Sequence, residues 1–386
     1  MQTPNITLDK KPKIAFISHS VGGVDVWLRI VLANLNPHLF EIVIIHGLGD
    51  TEKPFLNKDN QPLKEYKIAI DRNLHPWKDT KAIFQTISII KREKPNLIHA
   101  HSAKAGIIGR LVGAATNTSV FYTPHAFSYL STSNAIKRSF FLNIERFFSK
   151  FKNKILATSE SEKYRAINEV HYPSNKAIVF NNCINEIHVN KQLSILQTWP
   201  EDYICSVGRP SYQKNIEFMV EVIKHVSIEM PKVHLVLMGV GFHSPNLESV
   251  KTKIATYNLE KNITLLEWTE REDVLHIISK SKLYISTARY EGLPYSVIEA
   301  MALKKACVVT DVDGNRDLVI QNKNGFIIKE KNTDQFAEAI LKLLNDDSLR
   351  TRFEENSIKL FNEHFNIKNT IHKLEDIYQT EAGSKP

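Results

Sequence analysis

Short apolar runs rich in β-branched residues alternate along this chain with longer stretches whose apolar residues fall at helical spacing. Few folds accommodate that rhythm. Strand-like runs at 13–18, 41–45, 97–100, 120–122 and 155–158 form a first series, and runs at 203–207, 234–238, 263–266, 283–286 and 306–310 form a second. Helical patterns fall between them, for example at 24–35, 80–91, 216–228 and 333–344. Strand, helix, strand repeated in this way means parallel sheets covered on both faces. The sequence therefore predicts an α/β chain of two doubly wound, Rossmann-like domains. The 386 residues suit two domains. The break falls in the polar stretch 191–201, which ends in Trp199-Pro200 just before a new strand. The expected domains are 1–195 and 196–366, with a helical tail from about 367 to 386 that packs back on the first. In open sheets of this kind ligands bind beyond the C-terminal ends of the strands, so function is expected in those loops and in the cleft that two such domains create.

Composition narrows the chemistry. Three scattered cysteines, Cys183, Cys205 and Cys307, without a CxxC spacing fit neither a disulfide scaffold nor a structural zinc site. They suit a reducing cytoplasm. The N-terminal stretch lacks the apolar core of a secretory signal, and no apolar run approaches the ~20 residues needed to span a bilayer. The net charge is +8, which points to an anionic partner. Residues 1–195 hold 26 basic and 15 acidic side chains, a balance of +11; residues 196–386 hold 24 and 27, a balance of −3. The surplus belongs to the first half.

Two motifs carry chemistry. After the strand at 283–286 comes Arg289-Tyr-Glu-Gly-Leu-Pro-Tyr-Ser-Val-Ile-Glu299. Gly292 and Pro294 mark a turn and a helix follows, so Glu291 precedes the helix and Glu299 lies within it. Amides from Gly292 to Ser296 could hold an anion at the helix N-terminus, with both carboxylates reaching hydroxyl groups beside it. A nucleotide sugar has that form. After the strand at 203–207 comes Gly208-Arg-Pro-Ser-Tyr-Gln-Lys-Asn215. Gly208 turns the chain sharply, Arg209 and Lys214 can reach a diphosphate from one loop, and Asn215 is expected to cap the next helix.

These motifs resemble those of the retaining glycosyltransferases of the GT-B fold, glycosyltransferase family 4. The resemblance extends to Ser20-Val-Gly-Gly23, to His99-Ala-His-Ser-Ala-Lys-Ala-Gly106, and to Thr123-Pro-His-Ala-Phe127. The last two look most like members that build bacterial surface polysaccharides (O-antigen, capsule or exopolysaccharide) on a polyprenyl-diphosphate lipid. It implies that Arg209 and Lys214 neutralise the donor diphosphate, that Glu299 binds the ribose, and that Glu291 with Gly292, Leu293 and Pro294 holds the sugar. It implies a sugar contact for His125. Gly208 and Gly241 would border the nucleotide, while Gly22, Gly23, His101 and Lys104 would meet the acceptor. The implied catalytic set is His125, Arg209, Lys214 and Glu291, with a nucleotide sugar, UDP-linked by expectation, as substrate and no cofactor or metal. The chain departs from the family at Asn182-Cys-Ile-Asn185, where many members have Asn-Gly-(Ile/Val)-Asp.

Asp311-Val-Asp313 spells a metal-binding DxD but sits in a turn-like context, and is read as a turn. The segment 134–154 places Phe residues at helical spacing among Lys137, Arg138, Arg146 and Lys150, a basic amphipathic helix in which Phe140 and Phe141 could meet anionic lipid. Packing of the Phe stripe into the core is the competing reading. The expected location is the cytoplasm, peripheral on the inner face of the cell membrane. A sugar-nucleotide epimerase of the same fold is the alternative enzyme. A nucleic-acid-binding protein fits less well, since aromatics and cations are not interleaved on a strand platform.

Overall fold

The structure is a computed structural model describing residues 11–70, 75–189, 192–241, 244–329 and 331–383. Of the sequence expectations, Lys191 in the polar stretch, residues 384–386 of the C-terminal helix and the N-terminal stretch through Lys10 lie outside the described residues. Two compact units form. One takes the described residues of Met1–Thr158, Lys163–Phe180 and Thr370–Pro386; the other takes Ser159–Glu162 and Asn181–Asn369. The main chain passes from one to the other at Phe180 and Asn181, upstream of the polar stretch where the sequence puts the break.

The first unit is built on seven parallel strands: β1 (Lys13–Ile17), β2 (Glu41–Gly47), β3 (Lys64–Ile68), β4 (Leu97–His101), β5 (Ser119–Thr123), β6 (Asn153–Ala157) and β7 (Ala177–Val179), in the order β3-β2-β1-β4-β5-β6-β7. β4 is buried along its whole length, histidines included, which is why it reads as a run without alternation. The order reverses between β1 and β4, where Ile17 pairs with Ala100. His101 pairs with Thr123 on the next strand, so the loops after β1, β4 and β5 share one crevice.

The helix Ala103–Thr116 sits close on β4 and β5, and its glycines allow this. A Cβ on Gly106 would stand 2.2 Å from the Tyr122 ring, and one on Gly113 would stand 2.2 Å from Val120. From within that helix Arg110 reaches Glu145 of the helix Ala135–Ser149 at 3.0 Å, with both side chains buried. The Tyr122 hydroxyl donates to the other Glu145 oxygen. The helix Ile367–Gly383 packs its buried Tyr378 on the same unit, where the hydroxyl meets His99.

The second unit has six parallel strands: β8 (Ile204–Val207), β9 (Leu235–Met238), β10 (Ile263–Leu266), β11 (Tyr284–Ser286), β12 (Cys307–Thr310) and β13 (Gly325–Ile328), in the order β10-β9-β8-β11-β12-β13. A large apolar cluster joins one face of the sheet to the helices Ile216–Glu229 and Thr333–Asn345. The order reverses between β8 and β11, which places the two motif loops next to each other.

Candidate functional site

In the second unit that adjacency brings the motifs together. The loop after β8 carries Gly208, Arg209, Gln213 and Lys214, and the loop after β11 carries Arg289 to Pro294. Lys214 Nζ lies 2.7 Å from Glu291 Oε1, and Gln213 Nε2 donates to Glu291 Oε2 at 3.1 Å. Backbone bonds lock the loops: the Arg289 amide donates to Gln213 O, and the Thr287 hydroxyl bonds the Lys214 and Asn215 carbonyls. Gly208 has a positional reason. A Cβ there would press on the Lys214 stem at 3.2 Å, pushing the ammonium off its line. Arg209 is exposed and has no hydrogen bond or ion pair among the described residues. Glu291 is buried, so the site offers one preset cation–carboxylate pair and one uncommitted guanidinium.

Pro294 stands at the N-cap of the helix Tyr295–Ala302; its carbonyl accepts from the Val297 and Ile298 amides, and the Tyr295 and Ser296 amides have no backbone acceptor among the described residues. Leu293 is buried, and its carbonyl accepts from Asn182 Nδ2 at 2.8 Å, which fixes the turn. Gly314, at φ +76°, packs against the same turn: a Cβ on it would meet Gly292 O at 2.7 Å. Glu299 is buried on the helix, with Arg271 Nη2 2.7 Å from its Oε1. Burial pushes the Glu299 carboxyl above its ordinary range, and Arg271 opposes that only in part. Gly241 lies beside the β9 turn and its amide donates to Ser244 Oγ; Gly239, at φ +90°, is the residue set against Gly208.

One expectation changes here. Asn215 holds the N-cap position of the helix Ile216–Glu229, but its φ of 52° turns the side chain away and it caps no amide. Asp311 and Asp313 both pair with Arg316, at 2.9 and 3.2 Å, as a turn held by an arginine. Among the described residues no cluster of His, Cys, Asp and Glu could hold a metal ion.

In the first unit, Gly22 at φ 61°, ψ −130° starts the helix Gly23–Leu32 in a conformation reserved for glycine. The loops after β4 and β5 are strained: Ser102 has φ 68° and ψ 167°, while His125 and Ala126 have φ 54° and 73°. Such residues cluster at functional sites and each costs roughly 1–3 kcal/mol. His101 Nδ1 bonds His125 Nε2 at 3.0 Å, and His101 Nε2 is buried with no hydrogen-bond partner among the described residues. His99 is fixed from both sides. The Thr123 hydroxyl donates to Leu156 O, so it accepts from His99 Nε2, and His99 Nδ1 then accepts from the Tyr378 hydroxyl at 2.7 Å. Burial holds His99 and His101 well below the ordinary histidine range and lowers His125 to about 3. All three are neutral at pH 7, so this cluster hydrogen-bonds rather than carrying charge. Lys104 is already engaged, its ammonium 2.7 Å from Asp79.

The basic helix Ala135–Ser149 divides its aromatic residues. Phe148 and Glu145 face the core, and Phe141 packs at its margin. Ile136, Phe140 and Phe147 are 82%, 58% and 58% exposed on the opposite side. Lys137 and Lys150 are also exposed; Arg146 donates to the Glu169 carbonyl, and Arg138 lies near Glu169 and Tyr129. No described helix is long and apolar enough to cross a membrane.

Sequence reasoning assigned no role to Gln213 or Arg271. Arg271 opens the helix Arg271–Lys280 and has no motif; only the fold sets it against Glu299.

Comparison with known proteins follows the same division. The family described as glycosyl transferases group 1 matches residues 197–360, and glycosyltransferase family 4 matches residues 21–186. The UDP-Gal:α-D-GlcNAc-diphosphoundecaprenol α-1,3-galactosyltransferase of Escherichia coli is 28% identical over 343 residues, 83% of this chain and 87% of that protein. The capsular polysaccharide biosynthesis glycosyltransferase CapM of Staphylococcus aureus is 25% identical over 342 residues, 84% of this chain and 89% of its own. Among solved structures, sucrose-phosphate synthase from Thermosynechococcus elongatus superposes with a TM-score of 0.79 at 16% identity, covering 97% of this chain and 100% of the other. HepE from Anabaena in complex with UDP has a TM-score of 0.76 at 16% identity, covering 95% and 100%. At such identities the structural likeness is one of fold.

Proposed function

We propose that this chain, which belongs to the GT-B glycosyltransferases of group 1, family 4, moves a hexose from a UDP-sugar onto a polyprenyl-diphosphate-linked saccharide with retention of anomeric configuration. The observation that carries this reading is the placement of Arg209, Lys214 and Glu291 on two adjacent loops of the second unit, with Glu299 on the helix that follows the second loop. The family fixes the reaction class, so the nucleic-acid reading falls away.

In this reading the donor diphosphate lies against Arg209 and Lys214. The bond from the sugar's anomeric carbon to the diphosphate breaks, and the two cations stabilise the negative charge that builds on the leaving oxygen. The acceptor hydroxyl oxygen bonds to the same carbon on the same face, and its proton passes to the departing phosphate. Glu291, oriented by Lys214 and Gln213, accepts hydrogen bonds from sugar hydroxyls. Glu299 receives the ribose. In the first unit, Gly22 and Gly23 open a helix N-terminus for the acceptor's phosphate, and neutral His125 offers a hydrogen bond to the transferred sugar. UDP is supported by the UDP complex of the HepE structure, and the lipid-linked acceptor by the name of the Escherichia coli relative. The exposed Ile136, Phe140 and Phe147 among cations support a peripheral seat on the anionic inner face of the membrane.

The test is a panel of UDP-sugars offered to the purified protein with GlcNAc-diphosphoundecaprenol in detergent, read by mass spectrometry of the lipid. Addition of one hexose from one donor is expected. An altered nucleotide sugar in reactions without acceptor, and no lipid product, would establish the epimerase instead.

A further inference from the structure

The apolar stripe of the helix Ala135–Ser149 has a counterpart. The helix Pro76–Glu93 exposes Trp77 to 90% and Phe84 to 66%, seven residues apart and hence on one face, with Lys81 between them. That face is opposite the buried Ala82, Thr86 and Ile89. Free exposure of a whole indole is costly, and Trp is the residue that favours a boundary between water and an apolar phase.

The two helices flank the helix Ala103–Thr116, which the glycines seat low on the sheet. The helix Pro76–Glu93 shares an apolar core with the helix Ala103–Thr116, and the helix Ala135–Ser149 meets that helix through the buried Arg110–Glu145 pair, so the two exposed stripes belong to one layer. The carboxylates of this layer all turn inward. Asp79 pairs with Lys104, Glu93 is buried among Lys13, Lys64 and Tyr66, and Glu145 is buried against Arg110. The helix Ala103–Thr116 has no acidic residue. The outer surface is left with aromatic and aliphatic side chains and with cations such as Lys81, Lys91 and Lys137.

We propose that the outer surface of this three-helix layer is a docking face for an anionic bilayer, gripped at two ridges: Trp77 with Phe84, and Ile136 with Phe140 and Phe147. The occupant is argued from charge. A surface that sequesters every carboxylate of its helices and keeps its cations complements a continuous anionic plane. One amphipathic helix would let the protein roll about its axis, whereas two ridges on separate helices fix its orientation. The inference rests on the membrane reading above and adds a second, separate contact to it.

Trp77 is its own reporter. Trp27 and Trp199 are buried and Trp268 is exposed, so a Trp268→Phe background leaves Trp77 as the exposed indole. The full chain is mixed with vesicles of equimolar phosphatidylcholine and phosphatidylglycerol, some carrying brominated acyl chains. Expected are a blue shift, quenching by the brominated lipid and protection from iodide. Trp77→Ser with Phe84→Ser, and separately Phe140→Ser with Phe147→Ser, should each weaken vesicle binding about tenfold or more. Normal binding with Trp77 still open to iodide would overturn the two-ridge face and leave the helix Ala135–Ser149 reading intact. Failure of the unsubstituted chain to bind would overturn both. A dimer in sedimentation equilibrium that Trp77→Ser with Phe84→Ser abolishes would assign the face to a second copy and also overturn the proposal.

Discussion

Replacing Lys214 by Met keeps the methylene stem that packs against Gly208 and removes only the ammonium. In the protein as it stands that ammonium lies 2.7 Å from Glu291 Oε1, and without it Glu291 keeps Gln213 at 3.1 Å as its remaining side-chain donor among the described residues. A charge-assisted hydrogen bond to the diphosphate contributes roughly 1.5–3 kcal/mol, so UDP affinity should fall about 10- to 100-fold. The leaving group gains charge in the transition state, and loss of one fixed donor there costs about 10²–10³ in kcat. The assay pairs calorimetric titration of UDP with initial rates at saturating acceptor. Glu291→Gln alone should lower transfer while leaving UDP binding nearly intact, because Glu291 is assigned to the sugar. The double variant should lose less than the two single losses combined, since the groups touch. Unchanged UDP affinity and unchanged kcat for Lys214→Met would refute the assignment of the β8 loop to the diphosphate.

Other expectations follow from single contacts. The Glu299 carboxyl is raised by burial, so its ionised form is favoured only above its ordinary range, and donor binding through that carboxylate should weaken as pH falls toward it. Arg271→Met removes the opposing cation 2.7 Å away, raises the carboxyl further and should move that acid limb to higher pH, as UDP titrations across pH would record. The linked effect on folding has the opposite sense: a carboxyl raised in the folded state stabilises the fold below the unfolded value and loses that contribution as pH rises through the folded one. Glu145→Ala strands the buried Arg110 and should cost about 3–5 kcal/mol in urea unfolding, with Arg110→Met and Glu145→Leu together recovering much of it. Tyr378→Phe leaves His99 Nδ1 without its donor and should cost about 1–3 kcal/mol by the same measure.

Much of the fold was legible because buried parallel strands are written as continuous apolar runs. The strands missed were those at or next to sheet edges. β3 alternates polar and half-buried residues, β7 is three residues long, and β13 opens on a glycine. The donor loops were legible because glycine, cations and carboxylates follow strands directly. Their meeting depends on β8 and β11 being neighbours, a matter of topology rather than local sequence. The strain at Ser102 and Ala126 could not be read, since neither residue type announces positive φ, and histidine at 125 is only a weak signal of it. The segment 134–154 was legible as basic and amphipathic, but the helix stops at Ser149 because residues from Asn153 join the sheet as β6, and its two aromatic faces separate only once Glu145 is seen to anchor one side to Arg110. Trp77 and Phe84, seven apart beside lysines, were a signal of the same kind and were passed over.

The charge asymmetry acquires a location. The proposed donor site draws on a few cations of the slightly acidic half, while the surplus of the first half includes exposed lysines of its three-helix layer such as Lys81, Lys91 and Lys137.

The most direct test of the central claim is the proton NMR spectrum of the lipid-linked product formed from a UDP-α-hexose and GlcNAc-diphosphoundecaprenol. An anomeric proton with the small coupling of an α-linkage, formed only with both substrates, is the predicted result. A β-linkage, or release of free hexose with the lipid unchanged, would contradict retaining transfer to that acceptor.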